Sequence, residues 1–191
     1  MLDLTHLSCY RSKTEESHGE FMMRSKFIIG VLFIVLFLAG CSQEVDKKKF
    51  KSIDRAARSV KQSLAAGVNY ERFGDLLQEL SAQTTALNGK VKRGKEQQLL
   101  KEYSELLTIY RDGLTLWKYR TEATHYDFIP RGLIYVGQDV EPIVEKYRIP
   151  TESHVYGPTH QSWKSIPGDS IQSIWMNANS QLEKIDALLE G

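Results

Sequence analysis

The sequence predicts an all-α protein. The expected architecture is a four-helix up-down bundle with a long irregular, aromatic and proline-rich connection and one short extra helix before the last helix. Three observations carry this. Four segments place apolar residues at alternating spacings of three and four, which sets each group on one helix face. Glycine, asparagine and aspartate stand at the breaks between them. All five prolines fall between Thr124 and Gly168, so the four helical segments contain none.

The first helix uses Phe50, Ile53, Ala57, Val60 and Leu64, and Gly67 closes it in a left-handed conformation. Asn69 caps the second, whose stripe is Tyr70, Phe73, Leu77, Leu80, Thr84, Leu87 and Val91, and Asn88-Gly89 closes it. The third runs on Leu100, Tyr103, Leu107, Tyr110, Leu114 and Trp117. The last uses Ile171, Trp175, Ala178, Leu182, Ile185 and Leu189, opened by Asp169 and Gln172 as a capping box after Pro167-Gly168. Such stripes suit left-handed bundle packing. Gly74 and Gly113 lie inside helices, each costing about 1 kcal/mol against alanine. They either admit a close neighbour or are simply tolerated.

Within residues 124–168 the periodicity stops. Asp139 to Tyr147 reads as the short extra helix, with Val140, Ile143, Val144 and Tyr147 on its apolar face and Pro142 in its first turn. Arg131 to Val136 reads as a short strand or an extended crossing. The remainder reads as ordered loop, too aromatic for a plain linker. Short turns between helices make neighbours antiparallel. The start of the first helix and the turn Lys90 to Lys95 then share one end, and the aromatic connection lies at the other.

The segment ahead of the bundle has a separate logic. Phe27 to Ala39 reads FIIGVLFIVLFLA, with no charge. It is about a dozen residues long, the length of a signal h-region, and short of the about 20 that span a bilayer. Arg24 and Lys26 precede it, and Leu38-Ala39-Gly40-Cys41 follows. This order resembles the signal peptide and lipobox of bacterial lipoprotein precursors, over residues 22–42 only. The resemblance implies diacylglycerol in thioether linkage on Cys41, cleavage between Gly40 and Cys41, and often acylation of the new amino terminus. More than one acyl chain is needed, because a single chain anchors only marginally. Ser42 implies the periplasmic face of the outer membrane by default in a Gram-negative cell, and otherwise the outer face of the single membrane. Asp3, Glu15, Glu16 and Glu20 are foreign to an n-region, so the start is expected at Met22 or Met23, with 1–21 an upstream extension. Residues 22–40 are then the signal, 41–46 the lipidated cysteine and tether, and 47–191 the helical domain.

The tether brings the basic clusters Lys47, Lys48, Lys49, Lys51 and Lys90, Lys92, Arg93, Lys95 to the membrane-proximal end. Positive charge in a first helical turn opposes the macrodipole. Contact with anionic headgroups accounts for it, at about 1 kcal/mol per basic residue. The plain alternative is a solvated helix end beside a polar turn.

No catalytic motif is present: no phosphate loop, no G-x-S-x-G, no H-E-x-x-H. The cysteines are Cys9 and Cys41. With the first in the extension and the second lipidated, the mature domain has no thiol nucleophile and no disulfide. His125, His154, His160, Asp127 and Glu152 could meet around a metal only through folding, and loop histidines more often satisfy local hydrogen bonds. No metal, no cofactor and no catalytic residue is expected. The formal net charge is +1, which removes any bulk attraction to nucleic acid.

The aromatic connection is the candidate binding surface, through Tyr135, Tyr156, His160 and Trp163, which combine apolar area with polar tips. Its plain alternative is a cover over the open end of the bundle. Trp117 and Trp175 read as core. The first expectation is a membrane-anchored, non-enzymatic domain that contacts another envelope protein. The second is a small-ligand or glycan-binding module on the aromatic connection, and the third an unrecognised hydrolase. An exposed apolar patch favours the first, and a concave pocket with convergent polar groups the second. Shifted titratable groups inside that pocket would favour the third.

Overall fold

Helices α1 (Lys47–Ala66), α2 (Tyr70–Leu87) and α3 (Lys95–Glu122) follow one another through short turns. They lead to strand β1 (Leu133–Tyr135), helix α4 (Glu141–Tyr147), strands β2 (Glu152–Tyr156) and β3 (Gln161–Pro167), and the last helix α5 (Ile171–Glu190). The computed structural model describes residues 44–91, 94–123 and 129–190. The expected upstream extension, the expected signal with Gly40 and Cys41, the basic residues Lys92 and Arg93, and His125, Tyr126, Asp127 and Phe128 lie outside the described residues.

The caps that local chemistry dictates are made. Gly67 takes φ 84° and its N–H donates to the Leu64 carbonyl, the left-handed closure that glycine allows without a Cβ penalty. Asn69 Oδ1 accepts from Arg72 N at 2.8 Å and starts α2. The Asp169–Gln172 capping box is not formed. Asp169 instead lies in a 3-10 turn, Gly168–Ser170, that runs straight from β3 into α5, and Ser173 Oγ donates to the Ser170 carbonyl. Helix α4 begins at Glu141 rather than Asp139, with Pro142 in its first turn as expected.

Packing follows the stripes. Phe50, Ile53, Ala57 and Val60 of α1, Phe73, Leu77 and Leu80 of α2, and Ile171, Ala178, Leu182 and Ile185 of α5 are all buried. Helix α3 departs from its single stripe. Leu99, Leu106, Ile109 and Leu116 are buried as well as Tyr103 and Tyr110, so its apolar arc is wide enough for neighbours on two sides. One neighbour is α2, where Tyr70 meets Trp117 at 6.0 Å between ring centroids and Arg111 donates to Ser81. The other is α5, where Trp175 lies against Gly113 and Gln181 Nε2 reaches Glu102. In both pairs residue numbers rise on one helix as they fall on the other, so the neighbours are antiparallel.

A polar cluster ties α1 to α3 and α5. Arg58 donates to Asp54 at 2.9 Å and to Asp186, and the Tyr103 hydroxyl donates to Asp54 at 3.1 Å. Burial first, and Asp54 beside it second, push the Tyr103 phenol well above the usual tyrosine range. The guanidinium of Arg58 is held charged by Asp54 and then Asp186.

Strand β1 falls within Arg131 to Val136, read as a short strand or an extended crossing, but the reading of the stretch holding β2 and β3 as loop needs correction. Residues 124–168 carry a three-stranded antiparallel sheet of order β1-β3-β2, so the class is mainly α with a small sheet, not all-α. Ile134 pairs with Ile166, and both are fully buried, which fastens the sheet to the helical core. Strand β2 is exposed almost throughout, with only His154 half-buried. A strand that buries no apolar face shows no hydrophobic alternation, and the prolines around it read as loop.

Candidate functional site

The four aromatic-connection candidates sit on the sheet and its hairpin. In the register, Tyr135 faces Ser165, His154 faces Trp163 and Tyr156 faces Gln161. Side chains alternate along a strand, so Tyr135, Trp163, His154 and Tyr156 share the sheet face opposite Ile134 and Ile166. Trp163 lies between its neighbours, 6.1 Å from the Tyr135 ring and stacked at 4.2 Å on His154. His154 Nε2 is 2.7 Å from Ser165 Oγ, a fully buried hydroxyl. This is cross-strand packing of the kind that holds a small sheet together. Tyr135 and Tyr156 remain exposed at its edges. His160 stands apart at the hairpin tip, with φ 56° and its N–H donating to the Tyr156 carbonyl. The sheet thus joins Tyr135, Trp163 and Tyr156, and leaves His160 out.

Among the described residues, the basic start of α1 and the start of α3 share one end. Glu96, in the first turn of α3, accepts from the Lys49 ammonium and from the Asp46 N–H at 3.3 Å. It therefore lies across the N-terminus of α1. There it supplies the negative charge that the first turn of α1 lacks. Lys47, Lys48, Lys51 and Lys90 are exposed around it, and Lys95 is half-buried.

A cleft that the sequence did not announce opens toward the other end of these helices. Its volume is about 400 Å³, within the range of small-molecule sites. Lys61, Leu64 and Ala65 come from the last turns of α1, and Gly67 and Val68 from the turn after it. Tyr110, Trp117 and Arg120 come from α3, and Ile171, Gln172, Trp175, Ala178 and Asn179 from α5. The two tryptophans assigned to core are half-buried and line this cleft instead. Their rings are held from behind. Phe73, fully buried, lies 5.4 Å from Trp175 and 5.9 Å from Trp117.

Gly113 explains how Trp175 reaches its place. A Cβ there would sit 2.2 Å from the indole, closer than real atoms approach. The helix accepts a glycine, and its propensity loss, so that the Trp175 ring can lie close against its backbone. Gly74 has open space around it and no such neighbour.

The chemistry of the lining is one-sided. It contains Lys61 and Arg120 as cations, Gln172 and Asn179 as amides, and no carboxylate. The Tyr110 hydroxyl is a further polar group, kept protonated far above the usual range by burial. A hollow between α3, α4 and α5 has mixed charge, with Lys146 paired to Asp112 at 3.0 Å. His154 and Glu152 are on the sheet, and the other expected partners, His125 and Asp127, are outside the described residues. No group of histidine, cysteine, aspartate and glutamate arranged for a metal occurs among the described residues. No described helix is long and apolar enough to cross a membrane. No known protein-family model, curated protein or solved structure matches this chain.

Proposed function

We propose that this protein is a lipid-anchored binding module of the bacterial cell envelope, tethered through Cys41 and presenting the cleft to a small ligand. The observation that carries the module is the cleft itself, concave, aromatic-floored and rimmed by convergent polar groups. Helices α1, α2, α3 and α5 act as a four-helix up-down bundle in this scheme. The tether enters at the start of α1, where Lys47, Lys48, Lys51 and Lys90 are exposed, and these contact anionic headgroups. Helix α1 has 20 residues, a rise of about 30 Å. The cleft, at the far end of α1, is therefore held away from the lipid surface, on the extracytoplasmic side. The outer membrane is the address favoured by Ser42 in a Gram-negative cell.

Among the described residues the exposed large apolar ones are Tyr70, Tyr135, Val155, Tyr156 and Met176. Tyr135 and Tyr156 share a sheet face and the others lie on α2, β2 and α5. Trp163, packed on Tyr135, occupies part of that face, which gives the protein-contact function less support than the cleft gives a ligand.

The anchor is tested by Cys41→Ala in cells. The wild-type chain is expected in the membrane fraction with incorporated fatty acid, and the variant to lose both. A variant processed and membrane-bound as before would refute the lipoprotein assignment. The module is tested by NMR of the Gln43–Gly191 part, which forms one compact unit and carries the described core. The indole N–H signals of Trp117 and Trp175 are expected to move with hits from a mixed library of small molecules. If every hit leaves both unmoved, the cleft is not a ligand site.

A further inference from the structure

We infer that the cleft takes an amphipathic organic anion: a flat or acyl apolar body on the tryptophan floor, with a carboxylate, sulfonate or phosphate head between Lys61 and Arg120. This rests on the module proposed above and names its ligand class.

The charge of the lining decides the head. Lys49, Arg58, Lys118 and Lys146 each have a carboxylate within salt-bridge distance. Lys61 and Arg120 have none among the described residues, and both are exposed. Two cations lining one mouth with no carboxylate in the lining repel one another, and an anion between them removes that repulsion. Arg120 comes from the last turn of α3 and Lys61 from α1, so the pair converges only through the fold. The amides of Gln172 and Asn179 add donors at the same rim.

The floor decides the body. Trp117 and Trp175 present ring surface, and Leu64 and Ile171 extend it with aliphatic area. Phe73 and Tyr110 buttress Trp175 at 5.4 and 6.3 Å, with the rings well off parallel. The floor is therefore formed before any ligand arrives, which lowers the ordering loss on binding. A purely hydrophilic anion would leave this floor wet, and a neutral apolar body would leave the two cations unmatched.

Two dyes of nearly one shape separate these contributions. Anilinonaphthalene sulfonate carries the anion, and N-phenyl-naphthylamine lacks it. Binding to the Gln43–Gly191 unit is read by dye emission and by quenching of tryptophan. The sulfonate is expected to bind at least tenfold more tightly than the neutral dye. Lys61→Gln and Arg120→Gln should each weaken the sulfonate about tenfold, the scale of one charge-assisted contact, and the neutral dye less than twofold. Lys101→Gln, the same charge change on an exposed position outside the cleft, should change neither. Circular dichroism checks that each variant is folded. Equal affinity for both dyes, unmoved by Lys61→Gln and Arg120→Gln, would overturn the anionic class while leaving the cleft a binding site. Failure of both dyes to bind or to quench tryptophan would overturn the class and the module together.

Discussion

Phe73→Ala is expected to lower the unfolding free energy by about 3–5 kcal/mol, the range for deleting a buried aromatic ring. Phe73 is fully buried and touches three rings at once, Tyr110, Trp117 and Trp175. Its loss leaves a cavity behind the cleft floor that rigid indoles cannot fill by small shifts. For a domain of about 150 residues each kcal/mol lowers Tm by roughly 2–4 °C, so a fall of about 10 °C should be seen in a thermal melt. Phe73→Leu keeps most of the volume and should lose less than half as much. A melt within 2–3 °C of wild type, on the same scale, for Phe73→Ala would mean that the aromatic cluster is not packed as described. Because Phe73 stands behind both tryptophans, ligand affinity should fall with stability.

Gly113→Ala is expected to destabilise, against the ordinary rule for helix interiors. Alanine in a helix is better than glycine by about 1 kcal/mol. Here its Cβ would meet Trp175 at 2.2 Å. The indole is stiff and is backed by Phe73, so relief requires tilting the ring toward the cleft. Overpacking of this kind costs about 1–3 kcal/mol, which exceeds the propensity gain over most of that range. The sign should reverse once the ring is gone. In a Trp175→Ala background, adding Gly113→Ala is expected to stabilise by about 1 kcal/mol. The double-mutant cycle should therefore give a coupling of about 1–3 kcal/mol, the overpacking cost itself. Additive effects would show that Trp175 does not lie on Gly113.

The contrast between Gly113 and Gly74 shows where sequence reading ends. Both are helix-interior glycines with the same local cost, and nothing in either neighbourhood of the sequence separates them. The separation comes from a residue on another helix, Trp175, which lies on one and not the other. The assignment of Trp117 and Trp175 to the core has the same limit. Their stripe positions are right, and both pack against the core. A stripe gives the direction of a side chain but not how far the neighbouring helix extends over it.

What the sequence determined by itself is what depends on neighbours along the chain. The helices follow from apolar spacing, and the closures at Gly67 and Asn69 follow from φ and side-chain hydrogen bonding within a few residues. Turn lengths then set the basic start of α1 and the start of α3 at one end, where Glu96 joins α1 to α3. The lipobox-like pattern ending at Cys41 is also local, and the proposed anchor rests on that resemblance. The tertiary structure decided what depends on distant partners. Strand β3 is a strand because it pairs with β1 and β2, and hydrogen bonds between strands leave little imprint on a stretch rich in proline and glycine. The cleft joins Lys61, Arg120 and Trp175 from three helices. Their shared, acid-free surface is a property of packing, which periodicity along one helix cannot contain.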